Sequence, residues 1–348
     1  MGFEEEELFG GAEAEATDRR AFKRDELIAC ERCGRASPPT RMKCLYCGAT
    51  LPAVEGGEDR RRPALKPLEE WERGFNVVLT PRGGEGSHPR GDALAEAASL
   101  VRLKPEQLSE MVAARAALPL ARTGEREETE LLQHRLTALG LDVEIVADEE
   151  LAVETEPPRR VRKIEFDGEG LTGFVGVGGE SRRAEWADVV VIVVGRIFKK
   201  RIEVEERMKR RAASEVVESR ELLEDEGVVD LHFADTPAGW RVAASGFDYS
   251  CLGARKSLLA SENFARLCEE FRVRASDAAF DDSYRRVRHL LQFAWSPTEQ
   301  KEAGGVRRAR PGRVSTEAVT SVSNEAQFTR YSRLLRRFAL RRGEDGRR

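Results

Sequence analysis

"IACERCGRASPPTRMKCLYCGATLP" occupies residues 28–52 and carries four of the six cysteines in a chain of 348 residues. Cys30-Glu31-Arg32-Cys33-Gly34 is followed, ten residues on, by Cys44-Leu45-Tyr46-Cys47-Gly48. Two residues between paired cysteines let both sulfurs of a tight turn reach one ion. The glycine after each pair permits a positive φ, so that backbone N–H groups can turn toward the thiolates. Two such turns supply four soft ligands, which suits tetrahedral Zn²⁺. Residues 36–40, Ala-Ser-Pro-Pro-Thr, read as a turn between two short strands.

This pattern resembles the zinc-ribbon, or rubredoxin-like, four-cysteine knuckle, and the resemblance covers residues 28–52 alone. The ligands it marks are Cys30, Cys33, Cys44 and Cys47, with one Zn²⁺ as cofactor. Two disulfides, free thiols and an iron centre are the competing readings. A filled four-thiolate set has no open position for water, so the expected role is structural. About 25 residues build no core, so the metal supplies most of the folding energy. Four thiolates on Zn²⁺ leave about two negative charges, and Arg32, Arg35, Arg41 and Lys43 stand near enough to offset them. The same four residues, with Arg60, Arg61 and Arg62, are the candidates for phosphate or partner contacts.

Outward from the knuckles, the chain reads as an α+β multidomain protein. It has a small zinc ribbon, a compact βααβαβ domain at 74–148 and a β-rich domain at 160–296 capped by C-terminal helices. Residues 1–22 are acidic and small, and are expected to be disordered. Residues 53–68 read as a linker, and 297–348 as a flexible basic tail with a short helix. In that tail Tyr331, Leu334, Leu335 and Phe338 share one face. Thr123 is expected to cap the helix that follows it. Residues 205–225 are charged and read as helical, whereas 189–194 form a buried-strand run.

Within 74–148, "EREETELLQHRLTALGLDVEIV" resembles the last helix and strand of the ribosomal stalk protein's C-terminal domain, a fold shared with the Clp protease adaptor. That resemblance implies a small interaction domain. Residues 160–296 have the strand-then-helix order of the pleckstrin-homology-like barrel; a half-open sheet capped by two helices fits the same pattern.

Charged residues are 34% of the chain, the net charge is -4 and the pI is about 5.9. That balance excludes a protein that coats nucleic acid as a whole and allows a local basic patch. The N-terminal MGFEEEELFGG lacks the basic and apolar regions of a signal peptide, and the longest apolar run falls far below the ~18 residues of a membrane span. The expected location is the cytoplasm, where clustered thiols favour metal.

Other candidate chemistry is weaker. The glycines at 173, 176, 178 and 179 miss the dinucleotide-loop spacing and read as a turn. Cys251 with His232 and His289 would make a nucleophile set, but Cys251 and Cys268 read as buried hydrophobes. Asp281-Asp282 with Asp277 and Asp248 would make a divalent-ion set, but the consecutive acids before Tyr284 read as charge at a helix start, and His88 reads as a loop residue. Trp71, Trp186, Trp240 and Trp295 read as core anchors. The expectation is a non-enzymatic, zinc-binding adaptor with a protein partner. The alternative is a nucleic-acid-binding protein of transcription or translation using the ribbon and the arginine-rich segments.

Overall fold

The computed structural model describes residues 22–52, 65–66, 68, 72–80, 89, 91–153, 155–176, 180–209, 212–310 and 313–345; for 25, 205–218, 303–318 and 344–345 it describes the backbone only. The expectations for residues 1–21, for 53–64, for Trp71 and for His88 lie outside the described residues. The chain divides into two compact units, Met1–Ala64 and Leu65–Arg348. In the first, β1 (Ile28–Ala29) and β2 (Ala36–Ser37) pair antiparallel, Ile28 opposite Ser37.

The second unit begins with the expected βααβαβ order: β3 (Phe75–Leu79), α1 (Asp92–Leu100), α2 (Pro105–Ala113), β4 (Leu118–Thr123), α3 (Arg126–Ala138) and β5 (Val143–Ala147), closed by a short α4 (Asp148–Leu151). β3 lies between β4 and β5, antiparallel to both. Pro119 is tolerated because β4 is an edge strand and the register shifts beside it, between Val77 and Val78. Leu108 and Met111 of α2 and Leu132 and Leu136 of α3 form the buried stripes. Gly140 ends α3 at φ 88°, a conformation that glycine adopts without a Cβ clash. Thr123 does not cap α3. The N-cap is Glu125, and the Thr123 hydroxyl is buried, donating to Glu125 O at 3.1 Å.

The β-rich part comprises β6 (Arg159–Phe166), β7 (Gly170–Val175), β8 (Glu180–Glu185), β9 (Val189–Lys209), β10 (Ala212–Phe233), β11 (Trp240–Ala243), α5 (Ala260–Arg274), β12 (Ala279–Asp281) and α6 (Tyr284–Leu291). It continues into β13 (Thr298–Arg310), β14 (Arg313–Ser323) and α7 (Glu325–Asp345). The strands form one open path, β13-β14-β9-β10-β11-β6-β7-β8, and β12 joins β9 in parallel. Trp186, Trp240 and Trp295 are buried, as a core role requires.

Two expectations fail here because long-range pairing overrides local propensity, and a third because the apolar core is shared. Residues 205–225 are not a helix. They complete the β9–β10 hairpin, whose ladder runs from Ala212 opposite Lys209 to Phe233 opposite Val189. The described residues between 297 and 345 are not a flexible tail with a short helix. β13 and β14 form a hairpin, and β14 pairs with β9 from Ser315 opposite Arg207 to Ser323 opposite Lys199. α7 then runs for 21 residues and buries Phe328, Tyr331 and Leu334 completely. Finally, residues 74–148 and 160–296 are not separated. One apolar cluster contains Val77, Leu118, Val193, Trp295 and Phe328. Leu65, expected in the linker, belongs to it, and its N–H donates to Glu128 Oε1 at 2.8 Å.

Polar groups fix how these layers meet. Trp295 Nε1 donates to Asn76 Oδ1 at 2.8 Å, tying the segment after α6 to β3. Arg337 of α7 donates to Glu150 Oε2 at 2.7 Å and also bonds Glu144. Beneath α7, Arg241 forms a two-pronged pair with Asp230, Nε to Oδ1 at 2.7 Å and Nη2 to Oδ2 at 2.8 Å. Both side chains are almost fully buried. The Arg241 guanidinium also lies 4.9 Å from the ring centre of Phe328. His232 is buried beside the pair and shares a 2.6 Å hydrogen bond with Ser332. Burial outweighs the nearby Asp230 carboxylate and pushes the imidazole down to about 3.

Asp230→Ala removes the two-pronged partner of a buried guanidinium, leaving it only Glu325 at 3.4 Å, and is expected to cost about 3–5 kcal/mol. Denaturant unfolding of the variant measures this. A second expectation concerns acid. The folded-state pKa of His232 lies below its unfolded value of about 6.5. Its contribution is therefore present above that value and is lost as pH falls from about 6.5 toward about 3. His232→Gln should flatten the pH dependence of stability in that window, read from unfolding midpoints at a series of pH values.

Candidate metal centre

The two cysteine turns are built alike, hydrogen bond for hydrogen bond. Cys30 N donates to Arg35 O at 3.0 Å and Gly34 N to Cys30 O at 2.7 Å; Cys44 N donates to Ala49 O at 2.8 Å and Gly48 N to Cys44 O at 3.1 Å. Gly34 and Gly48 take φ of 68° and 70°. Positive φ lets each chain turn back on itself after the second cysteine. The glycine amides bond the cysteine carbonyls and so close each turn.

The cysteine Sγ atoms of residues 30, 33, 44 and 47 all lie within 4.8 Å of one another, close enough to hold a metal ion. The contacts run between the turns, Cys30 to Cys47 at 3.5 Å and Cys33 to Cys44 at 3.6 Å. Both far exceed the ~2.05 Å of a disulfide, and all four thiols are free. Beyond the cysteines, the core of this small unit is Ile28 and Leu51, with Ala49 packed against it.

Two donors reach the Cys44 sulfur, one a backbone N–H of the kind expected from sequence and the other a hydroxyl that was not foreseen. Tyr46 N donates to Cys44 Sγ at 3.4 Å, and the fully buried Ser37 hydroxyl to the same sulfur at 3.7 Å. Ser37 was legible only as part of a turn, because its value lies in facing a sulfur seven residues away. The Tyr46 N–H leads the groups that pull the Cys44 thiol down to about 6. At Cys33 the Arg35 backbone N–H pulls the same way, but burial and the three neighbouring sulfurs outweigh it and push that thiol up to about 12. Four crowded sulfurs thus resist losing their protons together until a cation joins them.

Arg32, Arg35, Arg41 and Lys43 are exposed. Arg35 is turned to the ring of Tyr46, 4.8 Å from its centre, and Leu45 and Tyr46 are exposed beside it. Arg60, Arg61 and Arg62 lie outside the described residues. The remaining sequence candidates do not converge. His232 is sealed against Ser332, whereas His289 is exposed and contacts Glu110 at 2.8 Å. Burial pushes the Cys251 thiol up to about 11 and the Cys268 thiol to about 12. Asp281 accepts from Ser283 and Tyr331, and Asp248 accepts from Ser250 N, so both serve local structure. Gly173 packs against the Trp240 ring, and residues 177–179 lie outside the described residues.

Compared with known proteins, the chain matches no protein-family model, no curated protein and no solved structure. Among the described residues, no helix is long and apolar enough to cross a membrane.

Gly34→Val and Gly48→Val each force a branched side chain into the left-handed region, at about 1–2 kcal/mol. Each should weaken metal retention about tenfold, measured by competition with a chromophoric chelator.

Proposed function

We propose that Cys30, Cys33, Cys44 and Cys47 hold one structural zinc ion, and that the protein is a non-enzymatic adaptor using this module to engage a protein partner. The observation behind the metal is the sulfur spacing. A tetrahedron of ~2.3 Å Zn–S bonds has edges of about 3.8 Å, and the cross-turn contacts of 3.5 and 3.6 Å nearly match it. Iron fits the same ligands, so elemental analysis must decide between them. With four protein ligands the ion has no site for substrate, and its contribution is folding energy. The nearby arginines and Lys43 offset the negative charge of the thiolate complex.

The adaptor reading rests on the exposed Leu45 and Tyr46, with Arg35 over the Tyr46 ring and Arg32, Arg41 and Lys43 exposed in the same module. Aromatic, aliphatic and guanidinium groups together are what protein interfaces favour at their centres. The same residues support the second reading, a contact with nucleic acid phosphates.

Purified protein should carry one zinc per chain, and a strong chelator should abolish the dispersed NMR signals of residues 28–52. Unchanged signals after complete metal removal would defeat the structural role. Affinity capture from the native host, comparing the full chain with one lacking residues 1–60, tests the adaptor reading; partners that all survive the deletion would remove the module from recognition. Binding to nucleic acid phosphates, under the second reading, must weaken steeply with rising salt.

A further inference from the structure

Cys33 is exposed, whereas Cys30 and Cys44 are buried. Its contact partner across the turns, Cys44, lies 3.6 Å away sulfur to sulfur. Closing that gap to a disulfide requires a movement of only about 1.5 Å. The second cross-turn pair, Cys30 with Cys47, stands at 3.5 Å. Among the described residues of this unit, Ile28 and Leu51, with Ala49 against them, are the apolar core left once the sulfurs change partners.

We propose, on the strength of the zinc reading above, that this module is an oxidation switch in which a hydroperoxide converts Cys33 and Cys44 into a disulfide between the two turns and expels the metal. The Cys33 thiolate attacks the peroxide O–O bond, giving a sulfenic acid and releasing hydroxide or alkoxide. The Cys44 thiolate then attacks the Cys33 sulfur, forming the S–S bond and expelling a second hydroxide. Two electrons pass from the two sulfurs to the peroxide. Zinc is left with two thiolates, Cys30 and Cys47, which a second peroxide equivalent joins in the same way. Loss of the ion removes the main source of folding energy in this unit, so Leu45 and Tyr46 lose their scaffold.

The pairing across the turns separates this switch from indiscriminate thiol oxidation, which would also join the neighbours within each Cys-x-x-Cys. The other two cysteines do not compete. Cys268 is buried and Cys251 partly buried, so peroxide meets the exposed Cys33 first.

The test uses full-length protein whose metal content has been measured. Hydrogen peroxide is added in equivalents, released zinc is read with a chromophoric indicator, and disulfides are mapped by mass spectrometry under non-reducing conditions. The expected result is one zinc released per chain, with Cys33–Cys44 as the first disulfide and recovery on reduction with added zinc. Cys33→His keeps a zinc ligand but removes the accessible sulfur, and should slow release about tenfold or more. If that variant fails to hold zinc, disulfide mapping of the native chain still decides. Stoichiometric zinc that survives peroxide, or disulfides within each turn, would overturn the switch alone. Protein that binds no zinc at all would overturn the zinc reading together with the switch.

Discussion

The contact between Phe328 and Gly195 organises residues 65–348. A Cβ on Gly195 would lie 2.3 Å from the Phe328 ring, so the aromatic ring occupies the space that any other residue in β9 would fill. Around this point, Tyr284 meets Phe328 edge-on with ring centres 4.8 Å apart, and Arg241 covers it as a cation. Asn324, just before α7, accepts from Phe198 N at 2.8 Å and donates to Arg196 O at 3.1 Å. Its side chain thus replaces ladder partners on β9 on the far side of the same glycine. Helix, strand and buried charge pair all depend on a missing side chain.

β9 is the other common element. It pairs with β10 along nearly its whole length, with β14 along its C-terminal half and with β12 near its start. Its apolar run at 189–194 was readable as a buried strand from sequence. The charged residues that follow were not readable as its continuation, because their pairing partners lie in β10 and, more than a hundred residues later, in β14. Charge density there imitates a solvated helix, and only the distant strands show otherwise.

The cysteine module lay open to inspection for the opposite reason. Its determinants are local: two residues between sulfurs, then a glycine, twice over. The convergence of the four cysteines and the positive φ of Gly34 and Gly48 followed directly. The Ser37 donor did not, since it depends on how the turns face each other. α7 falls between these cases. Tyr331, Leu334, Leu335 and Phe338 were legible as one face, but a stripe does not announce what it will cover. The hidden part was β9 with Gly195 beneath Phe328, a pairing that no local pattern encodes.

Order of synthesis gives the α7 contact a further meaning. Every strand of the large sheet precedes α7 in the chain, and so does the whole βααβαβ segment. A chain emerging from the ribosome therefore presents β9 with Gly195 bare, and Asp230 and Arg241 without the helix that covers them. The sheet can begin to pair, but its seal arrives only when residues 325–345 have been made. Completion of the larger unit thus waits for residues 325–345, whereas the cysteine module, encoded far upstream of them, can bring its four sulfurs together long before.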